Sequence, residues 1–130
     1  MYLSSATALT AVAVASLQPS LVINVTKELP CLPLVEHSLQ LPLEDSHTEN
    51  ISSHLPGVTA VIRAEAEAGG RVLVHCVAGV SRSVAVVLGY LVNYYCDLDT
   101  AWQNVKTVRP WARPNNNFMY QLSQWEMVKS

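Results

Sequence analysis

His75-Cys76-Val77-Ala78-Gly79-Val80-Ser81-Arg82-Ser83 stands between a short aliphatic run, Val72-Leu73-Val74, and a long apolar one covering residues 84–95. The first run has the length and β-branched content of a buried strand; the second has the length of a helix. Cys76 and Arg82 therefore close the two ends of a seven-residue turn from strand to helix. Such a turn converges backbone N–H groups at a helix N-terminus, where the dipole adds positive potential, and this suits a doubly charged anion. The cradle would be formed by Val77, Ala78, Gly79, Val80 and Ser81, with Gly79 where backbone must come closest to the ligand. Arg82 adds a planar fork of donors matched to phosphate oxygens.

Cys76 lies under that anion, where a thiolate can attack it. Free thiols titrate near ~8.5, and a helix N-terminus, inward N–H groups and a guanidinium all favour the charged form. Ser83 offers a hydroxyl that can donate to the sulfur and ease its departure, with Ser81 beside it. His75, immediately before the nucleophile, can orient it and tune its acidity. The implied chemistry has two steps, formation of a thiophosphate and its hydrolysis by water.

The pattern His-Cys-x-x-Gly-x-Ser-Arg-Ser resembles the signature of the cysteine-dependent dual-specificity protein phosphatases, within the protein tyrosine phosphatase superfamily. A bare Cys-x5-Arg match is weak, since rhodanese-like sulfurtransferases share it, but the nine-residue form after an apolar strand is specific. The likeness continues outside the loop. Leu21-Val22-Ile23-Asn24-Val25-Thr26 is similar to the family's early core strand, and Leu41-Pro42-Leu43-Glu44-Asp45 to the segment that carries its general acid. Arg109-Pro110, Arg113-Pro114-Asn115 and Phe118 resemble the stretch that supports its phosphate loop. Together these span roughly residues 2 to 128. The resemblance is to the small, single-domain atypical members, which lack a kinase-docking domain.

That resemblance implies hydrolysis of phosphotyrosine and phosphoserine or phosphothreonine, with phosphoprotein substrates such as signalling kinases and no cofactor or metal. Asp45, 31 residues before Cys76, is then the proton donor to the leaving oxygen. Strand alternation does not separate it from Glu44, so the preference for Asp45 rests on the resemblance. Asn115 is expected to support the loop through backbone or Ser81, or to cap a helix. The loop holds no lysine, unlike relatives that act on inositol phospholipids, which favours a phosphoprotein. Three departures from the family stand out: a short N-terminal edge, Gly89 where alanine is common, and Asn117 where glycine often precedes the phenylalanine. The competing reading is a phosphoprotein-binding module that no longer turns over; intact Cys76, Arg82 and Asp45 argue against it. An RNA triphosphatase or a sulfurtransferase on the same loop is the third.

Composition fits one domain over residues 1–130. Half of the residues are hydrophobic and 14% are charged, which predicts a well-filled core. A net charge of −2 without a basic run excludes an electrostatic case for nucleic acid. Residues 8–17 are apolar but too short to span a membrane, and no Lys or Arg precedes Lys27 to make a secretory leader. A nucleophilic thiol points to a reducing compartment, the cytoplasm and also the nucleus. Cys31 and Cys96 read as packing residues, with oxidation onto Cys76 as the alternative. His37, His47 and His54 show no ligand spacing, and Trp102, Trp111 and Trp125 read as core or groove wall.

Along the chain, strands and helices alternate. Strands are expected at Tyr2-Leu3, residues 21–25, residues 38–43 and residues 72–75. Helices are expected over residues 7–17, 58–68 (delayed by Pro56 and Gly57, closed by Gly69-Gly70) and 84–95. A short helix capped by Asp99 and a final one with Phe118, Leu122 and Trp125 on one face complete the pattern. Such alternation predicts an α/β fold, a mostly parallel central sheet flanked by helices on both sides and cysteine-phosphatase-like in outline.

Overall fold

The computed structural model describes residues 2–5 (backbone path only), 18–28, 37–77 and 80–129. The helix expected over residues 7–17, the loop at residues 29–34 with Cys31, and Ala78 and Gly79 lie outside them. Four strands form a parallel sheet in the order β1-β4-β2-β3, with β1 at Tyr2–Ser5, β2 at Leu21–Asn24, β3 at His37–Gln40 and β4 at Val72–Cys76. The two central strands, β2 and β4, are buried along their whole length, each with an aliphatic run (Leu21-Val22-Ile23 and Val72-Leu73-Val74) that suits a sheet covered on both faces. β3 is an exposed edge and stops three residues earlier than expected. Pro42 has no N–H for a ladder, and Leu43 N–H instead donates to the Leu41 carbonyl at 2.8 Å, turning the chain away.

Among the described residues, four helices accompany the sheet: α1 at Leu55–Glu67, α2 at Arg82–Tyr94, α3 at Leu98–Val108 and α4 at Asn116–Lys129. Helix α2 is buried around nearly its whole circumference and touches β4, β1 and the other three helices. The remaining helices each bury one stripe: Leu55, Val58 and Ile62 from α1, Ala101 and Val105 from α3, and Phe118, Leu122 and Trp125 from α4. Among the described residues, no helix is long and apolar enough to cross a membrane.

Pro56 and Gly57 do not delay α1 but sit in its first turn, where a missing N–H costs nothing and the fixed φ of proline is already helical. The helix ends in a Schellman motif. Gly69 has φ +82°, its N–H bonds to the Ala66 carbonyl, and Gly70 N–H reaches back to Glu65 at 2.9 Å. Helix α3 is capped by Asp97, not Asp99. Asp97 has the extended backbone of a cap and accepts from Thr100 N–H at 2.8 Å, while Asp99 lies in the first turn. Gly89 also has a packing reason: a Cβ there would meet Leu55 Cδ2 of α1 at 2.6 Å. Of the tryptophans, Trp125 is buried and donates to the Gly89 carbonyl, whereas Trp111 is exposed and lies against Arg109.

Candidate active site

Because all four strands run parallel, their C-terminal ends share one edge of the sheet, where α/β folds place their ligands. β4 ends there on Cys76, and α2 begins six residues later at Arg82. Ser83, the second residue of α2, turns back to the strand end, so that its Oγ lies 3.1 Å from Cys76 Sγ. Both groups are buried, Cys76 at 2% exposure and Ser83 at 0%. With a thiolate, which has no hydrogen, only the serine can donate.

Ser81 occupies the N-cap position of α2 but makes no side-chain cap bond. Its hydroxyl instead accepts from Asn115 N–H at 3.0 Å, so it does not cap the helix it opens. Arg113 N–H donates to the Val80 carbonyl at 2.7 Å, so the same segment, residues 113–115, pins the outgoing half of the loop at two points. His75 is 2% exposed, and neither ring nitrogen has a partner among the described residues. Burial therefore holds its pKa below the ordinary histidine value.

The two carboxylates that sequence could not separate are separated by their partners. Glu44 pairs with Lys27, the residue leaving β2. Asp45 Oδ1 accepts from Asn115 Nδ2 at 2.8 Å, and Asp45 lines an open pocket of about 250 Å³ with His47, Val80, Ser81, Arg113, Pro114, Asn115 and Asn116. Asn115 takes both roles expected of it and a third. Its N–H holds Ser81, its Oδ1 caps α4 by accepting from Phe118 N–H at 2.9 Å, and its Nδ2 holds Asp45.

The segment around Asp45 is tied down by further amides of α4. Asn117 Nδ2 donates to the carbonyls of Ser46 and Glu49, and Gln121 Oε1 accepts from the N–H groups of Ile51 and Ser52. Asn117 lies inside the helix, so its difference from the family's glycine supplies a tether rather than a left-handed turn.

Arg82 is not free in the loop. Its guanidinium bonds both oxygens of Glu28, Nη1 to Oε1 at 2.8 Å and Nη2 to Oε2 at 3.1 Å, and Nη1 also donates to the Leu43 carbonyl at 3.1 Å. The hydrogen bond from Arg82 holds the Glu28 carboxyl below the usual carboxylate range. Sequence reasoning missed Glu28, Lys27 and Gln121. For the first two a signal was present, namely charges immediately after a buried strand, at the sheet edge that carries the site. Cys96 lies beyond Tyr94, the far end of α2, which is itself about 18 Å along the helix axis from Arg82 at 1.5 Å per residue. That separation rules out a Cys76–Cys96 bridge, which needs Cα atoms within about 7 Å.

The head of α2 thus gathers a buried thiol beside a donor hydroxyl and an arginine, and the Asp45 carboxyl lines an open pocket with Val80 and Ser81 of the same loop. Residues 1–128 match the family described as dual specificity phosphatase, catalytic domain, and the chain belongs to that family. It is 34% identical over 117 residues to the tyrosine-protein phosphatase vhp-1 of Caenorhabditis elegans, covering 87% of this chain and 18% of that protein. The crystal structure of human DUSP28 matches with a TM-score of 0.90 at 36% identity, covering 98% of this chain and 91% of that one. The human tyrosine phosphatase-like serine/threonine/tyrosine-interacting protein matches with a TM-score of 0.87 at 27% identity, over 97% of this chain and 90% of that one. The chain spans roughly a fifth to a quarter of the length of the curated relatives it matches.

Proposed function

We propose that the chain is a protein phosphatase that hydrolyses phosphotyrosine and phosphoserine or phosphothreonine through a cysteinyl-phosphate intermediate. The observation that carries this reading is the 3.1 Å approach of Ser83 Oγ to Cys76 Sγ at the head of α2, with Arg82 beside it. In the first step the Cys76 thiolate forms a bond to phosphorus while the bond to the ester oxygen breaks, and Asp45 gives that oxygen its proton. Asn115 occupies Oδ1 of Asp45, which leaves Oδ2 to hold the proton. Water then attacks phosphorus, its proton passes to the Asp45 carboxylate, and the sulfur leaves as a thiolate that accepts from Ser83. Val77, Val80 and Ser81, with Ala78 and Gly79 between them, supply N–H groups to the phosphoryl oxygens, and Arg82 neutralises their charge.

The substrates are phosphoproteins, with signalling kinases as the candidates, and the working compartment is the reducing cytoplasm or nucleus, since an oxidised thiol cannot attack. The single-domain reading of residues 1–130 stands with this proposal. The test is phosphate release from an aryl phosphate and from phosphotyrosine and phosphothreonine peptides, using reduced protein in EDTA beside Cys76→Ser. Turnover lost in the variant supports cysteine catalysis. A folded wild-type protein without turnover supports the binding module instead.

A further inference from the structure

Arg82 carries five N–H donors in a rigid plane. Nη1 commits both of its own, to Glu28 Oε1 and to the Leu43 carbonyl, and one of the two on Nη2 goes to Glu28 Oε2. Among the described residues nothing accepts from the Nε–H or from the second Nη2–H. These two lie parallel on one edge of the plane, the fork that matches two oxygens of a phosphate. Among the described residues, the arrangement is thus complete on two sides of the guanidinium and open on the third.

We propose that Glu28 is a positioning residue for the phosphate site: it grips the end of the Arg82 guanidinium so that the Nε/Nη2 edge faces the bound phosphoryl group. The reading rests on the phosphatase function proposed above and adds a residue to its machinery. Three features support it. The Arg82 side chain is 9% exposed while Glu28 is 50% exposed, so a nearly buried cation is held from the surface by a carboxylate that stays hydrated. An exposed carboxylate adds little to stability, and its effect is felt in geometry instead. The carboxylate is itself anchored, because Glu28 follows a buried turn in which Asn24 Oδ1 accepts from both the N–H and the hydroxyl of Thr26, at 3.1 and 2.7 Å.

The neighbour completes the logic. Lys27 pairs with Glu44, next to Asp45, so two successive side chains leaving β2 address the two loops of the site in turn. The Leu43 carbonyl, which also receives Arg82, lies on the same segment as Glu44 and Asp45. Arg82 is therefore held between the β2 exit and the acid-bearing loop. Released by Glu28, it would keep one bond to Leu43 and could swing its fork off the phosphate. A misplacement of that kind weakens oxyanion binding in ground and transition states together.

The experiment uses Glu28→Gln and Glu28→Ala, alone and combined with Arg82→Lys, whose ammonium presents no fork. The measurements are kcat and KM on an aryl phosphate, orthovanadate binding by calorimetry, and melting temperature. Expected is a five- to tenfold rise in both KM and the vanadate dissociation constant for each Glu28 variant, with a smaller fall in kcat. Added to Arg82→Lys, the Glu28→Gln change should weaken vanadate binding less than twofold further. Vanadate affinity unchanged or tightened in Glu28→Gln overturns the proposal, as does an equal loss in the Arg82→Lys background. Should Glu28→Ala melt much lower, Glu28→Gln decides. Should wild-type protein bind vanadate without turning over, the phosphatase reading fails while the calorimetry still tests Glu28; no vanadate binding by wild type overturns both.

Discussion

Replacing Ser83 with alanine should divide the reaction into its two halves. The serine hydroxyl lies 3.1 Å from the sulfur of Cys76, and both groups are shielded from water. A hydrogen bond to a charged group is worth about 1.5–3 kcal/mol. At about 1.36 kcal/mol per decade, losing it corresponds to roughly ten- to 150-fold in rate. That cost does not fall equally on the two steps. When sulfur attacks, its negative charge is consumed, so a less stabilised thiolate is at no disadvantage. When the intermediate is hydrolysed, the charge returns to sulfur with no donor to receive it. Ser83→Ala should therefore retain a rapid burst of about one equivalent of aryl leaving group, followed by steady-state turnover slowed by that factor. Rapid-quench kinetics gives the burst, and mass spectrometry of acid-quenched protein shows the accumulated phosphocysteine. Alanine is a better helix former than serine, so α2 should not be weakened by the change. Burst and steady state falling together, or neither changing, would refute the assignment.

Three further outcomes follow from the same geometry. Asp45→Asn should slow hydrolysis of an alkyl phosphate by about 100-fold or more, while an aryl ester with a good leaving group is nearly spared; equal losses on both would remove Asp45 as the acid. Asn115→Ala loses the cap of α4, worth about 1 kcal/mol, together with the Asp45 tether. Asn115→Asp keeps the capping oxygen but sets a second carboxylate against Asp45, so it should melt closer to wild type while losing alkyl phosphatase activity; full activity there would show the tether to be irrelevant. His75 should titrate below pH 6.5 by NMR, because burial penalises its charged form. A folded pKa below the unfolded one means that the native state binds fewer protons, so this group costs stability as pH falls below about 6.5. A His75 midpoint at or above 6.5 would contradict its burial.

The sequence and the structure divide the description in an orderly way. Gly69-Gly70 and the cap of α3 are local devices, and the first was read correctly from its own residues. The second was misplaced by two residues because Asp97 and Asp99 both suit a cap, and only the extended backbone at Asp97 selects one. The ends of β3 and α1 were missed for similar reasons. Proline both ends strands and opens helices, and Pro42 and Pro56 do one each. Trp111 has the apolar surface of a core residue, but it lies exposed beside Arg109.

Cys76, Ser81, Arg82 and Ser83 were legible because one strand, one turn and one helix place them, and seven residues of sequence span the whole distance. Their spacing alone puts a hydroxyl and a guanidinium beside the thiol. Asp45 against Glu44, the hold of Asn115 on Asp45 and the grip of Glu28 on Arg82 belong to another category. The last two join segments 70 and 54 residues apart, and nothing in the local pattern of either partner names the other. They exist because a parallel sheet carries the exits of β2, β3 and β4 to one edge and α2 brings α4 against it. The proposed nucleophile and the proposed fork are thus both named by the sequence of one loop. Which acid faces it, and which carboxylate turns the fork, was decided by packing between parts of the chain that are distant in sequence.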